Sequence, residues 1–295
     1  MQTPRAGSIP SAPSGACGPS GRWLPTTCLG GRWQMGLDAW LLEQPRPAFR
    51  LYRWQRPTLS LGQHQRRCPS HWSALAADGS LDLVRRPSGG RAVLHGGDIT
   101  YALVWPEPPR RRVEAYAAAS AWLQLAFRRL GLPLAFGAGP ARGDLGSPNC
   151  FALGTAADLV HADGSKRVGS AQLWRGGRLL QHGAIQLAPC PQLWSRLFGT
   201  PPPRLPALPC QGDALERLLL EAAQEALPFP LELERPEPLR AAELAAVAQR
   251  HLHCSTVPAA ASGQSHPQRP GSAADAVSPD ATMLRTTWGS ASPSG

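Results

Sequence analysis

The chain has 295 residues, 42% of them apolar, with 30 basic and 20 acidic side chains and a formal charge of +10. That length suits one large domain or two ordinary ones, and no apolar run approaches the roughly 20 residues of a bilayer-spanning helix, which excludes a helical membrane protein. Residues 1–21 lack the apolar core of a secretory signal, so the expected compartment is the cytoplasm.

Residues 1–21, rich in Ser, Pro and Gly, read as a disordered N-terminal tail. Gln34 to Gln44 reads as a helix, with Leu37, Trp40 and Leu41 on one face and Pro45 as its stop. Phe49–Trp54 alternates as a strand, and Thr58–Leu61 and Leu81–Arg86 are further strands. Arg91–Leu94 and Ile99–Trp105 are expected to be the two arms of a hairpin across Gly96-Gly97. A long helix follows, with Val113, Tyr116, Ser120, Leu123, Phe127 and Leu130 spaced by threes and fours. Gly131 and Pro133 end it. Asp158-Leu-Val160 leads into a turn at Ala162–Ser165. Lys166–Trp174 and Arg178–Leu187 then flank Gly176-Gly177 as a tight hairpin. Leu215, Leu218, Leu219 and Ala222 mark a helix that Pro228 stops, and a last helix runs from about Leu239 to Leu252. Residues 255–295 return to Ala, Ser, Pro and Gly and are expected to be disordered. The predicted fold is α+β, a mixed or antiparallel sheet with packed helices, in one domain over 22–254.

Charge is unevenly written. Residues 32–200 carry 21 basic and 10 acidic side chains, whereas residues 201–254 carry 5 and 8. A basic body suits an acidic partner. With no helix-turn-helix, finger or aromatic-interleaved basic motif, an acidic carrier protein is a better fit than nucleic acid. Of the 30 basic residues 29 are Arg, and the only lysine is Lys166. A lysine offers a compact ammonium where arginine offers a planar fork that stays protonated, so a single lysine points to a site that needs lysine chemistry. Seven cysteines at irregular spacing, with no CxxC pair, read as reduced thiols. His251-Leu-His253-Cys254 lacks a second ligand pair, and no metal site is expected.

Three segments carry chemistry. In Arg85-Arg-Pro-Ser-Gly-Gly-Arg-Ala-Val-Leu-His95 a strand enters a Gly-Gly turn that lets backbone approach a ligand. Arg85, Arg86 and Arg91 flank that turn as candidates for holding an anionic group. In Lys166-Arg-Val-Gly-Ser-Ala-Gln172 the small run Gly169-Ser170-Ala171 leaves room for a thin apolar ligand, with His182 and Gly183 on the opposing arm. Cys150 lies just before the segment that leads to Lys166, and a thiol near a cation gains thiolate and nucleophilicity.

Taken together, Trp33-Gln-Met-Gly-Leu-Asp38, Leu59-Ser-Leu-Gly62 with Gln65, Arg85–His95 with Thr100-Tyr101, Lys166–Gln172 and Leu179–Leu187 resemble the biotin/lipoate protein ligase and octanoyltransferase family over roughly residues 22–200. The resemblance implies a biotin/lipoate ligase-like catalytic domain. It places Lys166 at the family's active-site lysine, which contacts the acyl carbonyl, and Cys150 where cysteine-dependent octanoyltransferases carry their nucleophile. It implies substrate-binding roles for Arg85, Arg86, Ser88, Gly89, Gly90, Arg91, Ala92, His95, Gly169, Ser170, Ala171, Gln172, His182 and Gly183. The expected activity is transfer of an octanoyl group from acyl carrier protein to a lysine of a lipoyl domain, in glycine-cleavage H protein or a 2-oxoacid dehydrogenase E2 subunit. That route needs no cofactor. ATP-dependent lipoate ligation, with ATP and Mg, and a non-catalytic acyl-binding role stand as alternatives. The chain departs from the family where many members place Asp directly after the His. Here Gly96 follows His95, and Asp98 comes two residues later. Arg91 likewise stands where ATP-using relatives favour a third Gly.

Overall fold

The computed structural model describes residues 20–137, 150–152 and 157–234. In chain order the elements are β1 (Gly21–Leu29), α1 (Gly31–Glu43), β2 (Ala48–Trp54), β3 (Thr58–Leu61), α2 (Ser70–Ala77), β4 (Asp82–Arg85), β5 (Val93–His95), β6 (Asp98–Trp105), α3 (Arg112–Arg129), β7 (Ala135–Phe136), β8 (Leu159–Val160), β9 (Lys166–Arg175), β10 (Arg178–Gln186), α4 (Pro191–Phe198), α5 (Gly212–Ala226) and β11 (Leu231–Leu233). Gly21, assigned to the tail by composition, opens β1. The expected helix near 239–252, the His251–Cys254 tract and residues 255–295 lie outside the described residues.

Eight strands form one sheet in the order β11-β1-β2-β6-β10-β9-β8-β7, and three form a second in the order β4-β3-β5. Both are mixed, as expected. β1 runs parallel to β2 and β11, and β4 parallel to β3, while the other pairings are antiparallel. β1, which contains Pro25, is not among the strands expected from the sequence. The proline falls in the register break between Leu24 and Thr27, where the ladder asks no N–H of it.

The hairpin expected across Gly96-Gly97 does not form. β5 pairs with β3, whereas β6 pairs with β2 and β10, so the chain passes from one sheet to the other at the two glycines. Gly96 has φ +114°, and a Cβ on Gly97 would sit 2.2 Å from the Ala188 carbonyl oxygen. A crossing and a hairpin turn both demand glycine here, so the local signal is the same. Nor do the strands on either side of Gly89-Gly90 pair with each other, since β3 lies between them.

α3 and α5 cover one face of the large sheet. Ala119, Trp122, Ala126 and Phe127 of α3 pack with Leu215, Leu219 and Ala222 of α5 over Phe49, Leu103 and Ile185. The buried stripe of α3 centres on residues 115, 119, 122 and 126. At about 100° per residue that turns Val113 outward, and it is 81% exposed, contrary to the predicted apolar face. The opposite face of the sheet carries α1 and the small sheet. Trp33, Leu37 and Leu41 meet Tyr52, Ala102 and Leu180. The small sheet packs with Trp72 of α2, Trp194 of α4, Phe151 and Ala184. α4 starts on Pro191 and stops at Gly199, which has φ 70°. Each large apolar side chain it buries, such as Leu193 or Leu197, contributes roughly 1.5–3 kcal/mol.

Candidate active site

The second face leaves a cavity between β9–β10 and the small sheet. Its wall holds Met35, Tyr52, Trp54, Ser60, Arg86, Gly90, His95, Cys150, Gly169, Ser170, Ala171, His182 and Gly183. Antiparallel pairing sets Ala184 opposite Gly169, Gly183 opposite Ser170 and His182 opposite Ala171. Small residues are required here. A Cβ at Gly169 would lie 3.1 Å from Lys166 Cε and 3.2 Å from the Phe151 ring. One at Gly183 would lie 2.7 Å from the Gly169 oxygen and from the Tyr101 ring, whose hydroxyl bonds Ser170 Oγ at 2.8 Å.

Lys166 opens β9 and is buried. Its ammonium donates to the Cys150 carbonyl oxygen at 2.8 Å, reaches Cys150 Sγ at 3.5 Å, and pairs with Asp158 Oδ2 at 2.9 Å. It also lies 4.9 Å from the centre of the Phe151 ring. Cys150 heads a short 3₁₀ turn and is anchored by its own N–H, which donates to Ala92 O at 2.9 Å. The five cysteines among the described residues are all free thiols.

The Arg85–His95 segment is held by its own arginines. Arg85 donates to the carbonyls of Gly62 and Gln65 at 2.7 and 2.9 Å. Arg86 is buried, and its guanidinium donates to Gly89 O, Arg91 O and Ser60 O at 2.8, 2.7 and 3.0 Å. Burial pulls the Arg86 guanidinium below its ordinary pKa. A Cβ at Gly62 would sit 1.9 Å from Gly90 O, so the glycine of the Leu59–Gly62 motif exists to let this turn close.

Two parallel serine–histidine–aspartate chains cross the cavity wall. Ser88 Oγ lies 2.5 Å from His182 Nε2, and His182 Nδ1 lies 2.8 Å from Asp38 Oδ2. Ser60 Oγ lies 2.9 Å from His95 Nε2, and His95 Nδ1 lies 2.8 Å from Asp98 Oδ2. Burial pushes the Asp38 carboxyl up, but the charge of Arg50 at 2.6 Å and the contact with His182 outweigh it and hold it below its usual range. Asp98 is likewise held low, against burial, by His95 and the Gly96 N–H. Both carboxylates are therefore acceptors. Each His Nδ1 donates to its carboxylate, and each Nε2 meets a serine hydroxyl. Trp54 stacks on His95 at 4.1 Å. Asp98 meets His95 although it stands two residues beyond the family's usual position, because the Gly96-Gly97 crossing folds the chain back.

The cavity wall thus collects Arg86, Gly90, His95, Cys150, Gly169, Ser170, Ala171, His182 and Gly183 from the sequence reading. Lys166 reaches it through Cys150, and Ser88 through His182. Arg85, Gly89, Arg91 and Ala92 shape the turn rather than the wall. Gln172 is drawn away to Gln181 and Trp174 at 2.8 and 3.0 Å. The sequence reading missed Asp158, Ser60, Tyr52 and Trp54, and gave Asp38 no role beyond its place in a motif. Asp38 is 144 residues from His182, a separation at which only the family motif gives a signal.

The lipoyl protein ligase A/B catalytic domain family matches residues 31–203. An octanoyltransferase LipM of Carboxydothermus hydrogenoformans is 36% identical over 173 residues, 56% of this chain and 64% of that protein. The octanoyltransferase LipM of Kyrpidia tusciae is 34% identical over 214 residues, 63% of this chain and 77% of its own length. The chain spans 64% of the length of the Carboxydothermus and Lysinibacillus sphaericus relatives. Two solved structures share the fold. Lipoate-protein ligase A bound with ATP gives a TM-score of 0.64 at 18% identity, covering 79% of this chain and 94% of that one. The bi-partite lipoate protein ligase of Thermoplasma acidophilum gives 0.61 at 19%, covering 79% and 92%.

Proposed function

The chain belongs to the lipoyl protein ligase A/B catalytic domain family, and on that premise we propose that it transfers an octanoyl group from acyl carrier protein to a lysine of a lipoyl-domain protein, in protein lipoylation. The observation that carries this reading is the placement of Cys150 Sγ, 3.5 Å from Lys166 Nζ, on a cavity floored by Gly169, Ser170 and Ala171. The names of the curated relatives support it.

The reaction runs in two halves. The Cys150 thiolate attacks the carbonyl of the octanoyl thioester, a C–S bond to Cys150 forms, and the carrier thiolate leaves. The contact of Lys166 to sulfur, at 3.5 Å, is longer than those to the Cys150 carbonyl oxygen and to Asp158, and it is the one the developing oxyanion replaces. The acceptor amine, having lost a proton, then attacks the acyl-enzyme. Its second proton passes to the departing sulfur of Cys150 as the amide forms. An eight-carbon chain buried at ~0.8 kcal/mol per CH₂ gains about 6 kcal/mol before ordering costs, so chain length is the natural basis of donor selection. The basic surface steers the acidic carrier.

The test compares octanoyl carrier protein with octanoate plus ATP as donors, for the wild type and for Cys150→Ala. Transfer from the carrier alone, an octanoyl adduct on Cys150 by mass spectrometry and loss of both in the variant are expected. Full activity of the alanine variant with free acid and ATP would make the protein a ligase and Cys150 a structural thiol.

A further inference from the structure

The acyl-enzyme reading needs positive charge beside the Cys150 thiolate. Lys166 is an incomplete source of it. Its ammonium and the Asp158 carboxylate are 2.9 Å apart and both buried, so the two together carry no net charge toward the sulfur.

Arg86 is different. Its hydrogen bonds go to neutral oxygens, those of Ser60, Gly89 and Arg91, and among the described residues no carboxylate pairs with it. Asp98 connects to it only through His95 and Ser60. A buried charge without a counter-ion is costly, and proteins ordinarily pair it. Arg86 and Cys150 are also tied to adjacent carbonyls of one turn. Arg86 Nη2 donates to Arg91 O at 2.7 Å, and the Cys150 N–H donates to Ala92 O at 2.9 Å. Both side chains line the same cavity.

We propose that the Cys150 thiolate is the counter-ion of Arg86, so that Arg86 supplies the net charge that ionises the nucleophile and leaves Lys166 to the acyl carbonyl. This rests on the reading of Cys150 as nucleophile. Arg167 shows that a buried arginine with no carboxylate partner among the described residues is not enough. It is bound by His161, Gln186 O and Pro206 O, and it is absent from the cavity wall. Arg86 differs in sharing a turn and a cavity with a thiol.

The experiment measures iodoacetamide alkylation of Cys150 against pH, by mass spectrometry of its peptide, in the full chain. Among the described residues, the charged or titratable groups around the thiol are Lys166, Asp158 and Arg86, with His95, His182 and Tyr52 on the cavity wall. Arg86→Gln should move the alkylation midpoint upward by about one pH unit or more, and Arg86→Lys should return most of that shift. Both variants lose the contacts of the guanidinium fork and should melt earlier, so a purely structural role would leave the midpoints alike. Arg86→Met is the neutral comparator should the glutamine variant not fold. Removing the neutral pair in Lys166→Met/Asp158→Asn should shift the midpoint less than Arg86→Gln does. An unmoved midpoint in the neutral Arg86 variants, beside a normal octanoyl adduct on Cys150, overturns this role of Arg86 alone. A shifted midpoint with no adduct overturns the acyl-enzyme and keeps Arg86 as the thiolate's partner.

Discussion

The Lys166 ammonium donates to the Cys150 carbonyl oxygen at 2.8 Å and stands 3.5 Å from the Cys150 sulfur. One side chain therefore fixes the turn that presents the thiol and touches the thiol itself. A guanidinium is broader and presents a fork, and Gly169 leaves space only for the slim stem, with Lys166 Cε 3.1 Å from where its Cβ would be. Lys166→Arg should lose at least about tenfold in acyl transfer, roughly 1.4 kcal/mol, and Lys166→Ala more. A steady-state rate series decides it. An arginine variant that turns over like wild type would make the sole lysine an accident of composition.

Asp38→Asn should be severe although the residue lies off the cavity wall. It removes the charge paired with buried Arg50 at 2.6 Å and the carboxylate that accepts from His182 Nδ1. Stranding a buried charge costs about 3–5 kcal/mol. Urea unfolding should show that loss. A shift below about 1 kcal/mol would mean that Arg50 finds another acceptor.

Gly62, packed against the Gly89-Gly90 turn, and Gly89 within it should behave oppositely. A Cβ on Gly62 would meet Gly90 O at 1.9 Å, whereas one on Gly89 meets nothing within 4 Å. Gly62→Ala should cost at least about 1–3 kcal/mol and abolish transfer, while Gly89→Ala should fold and melt close to wild type. Equal behaviour of the two would show that the turn is not packed against Gly62.

His161 gives the fold a pH dependence away from the cavity. Its Nε2 accepts from Arg167 Nε at 2.9 Å, which requires the neutral ring, and burial and the Arg167 charge lower its pKa from 6.5. The unfolded chain then binds a proton more readily than the folded one. This stability is fully present above about pH 6.5 and is lost as pH falls through the lower folded value. The melting temperature should drop between pH 7.5 and 5, and His161→Gln should flatten that slope. An unchanged slope in the variant would assign the pH dependence elsewhere.

The basic body predicts a salt effect on the first half-reaction. Residues 32–200 carry 21 basic and 10 acidic side chains. kcat/KM for an acidic carrier should fall as salt rises, while kcat changes little. A salt-independent kcat/KM would mean that the carrier docks away from this surface.

Local pattern was enough for α1, β2, β3, α3, the β9–β10 hairpin and α5, since each rests on periodicity or on a turn signal a few residues wide. It was also enough for the family, through five short motifs in order. It failed where a residue type has two uses. Gly96-Gly97 reads as a hairpin but crosses between sheets, and β1, with Pro25 at its register break, is given no element. α2 and α4 are only 8 residues each, too short for periodicity to speak.

The residue types at the site were thus determined by the sequence alone: a lone lysine, a cysteine upstream of it, small residues on the strand that the lysine opens, and a basic Gly-Gly turn. Their partnerships were decided by the tertiary structure. His182 meets Ser88 across 94 residues and Asp38 across 144. Asp158 takes up the charge of Lys166, and Arg86 turns to carbonyls rather than to an acid. These are through-space contacts, set by which strands lie side by side. A sequence fixes the charge each residue carries, but the net field at the thiol depends on which charges the fold brings into pairs.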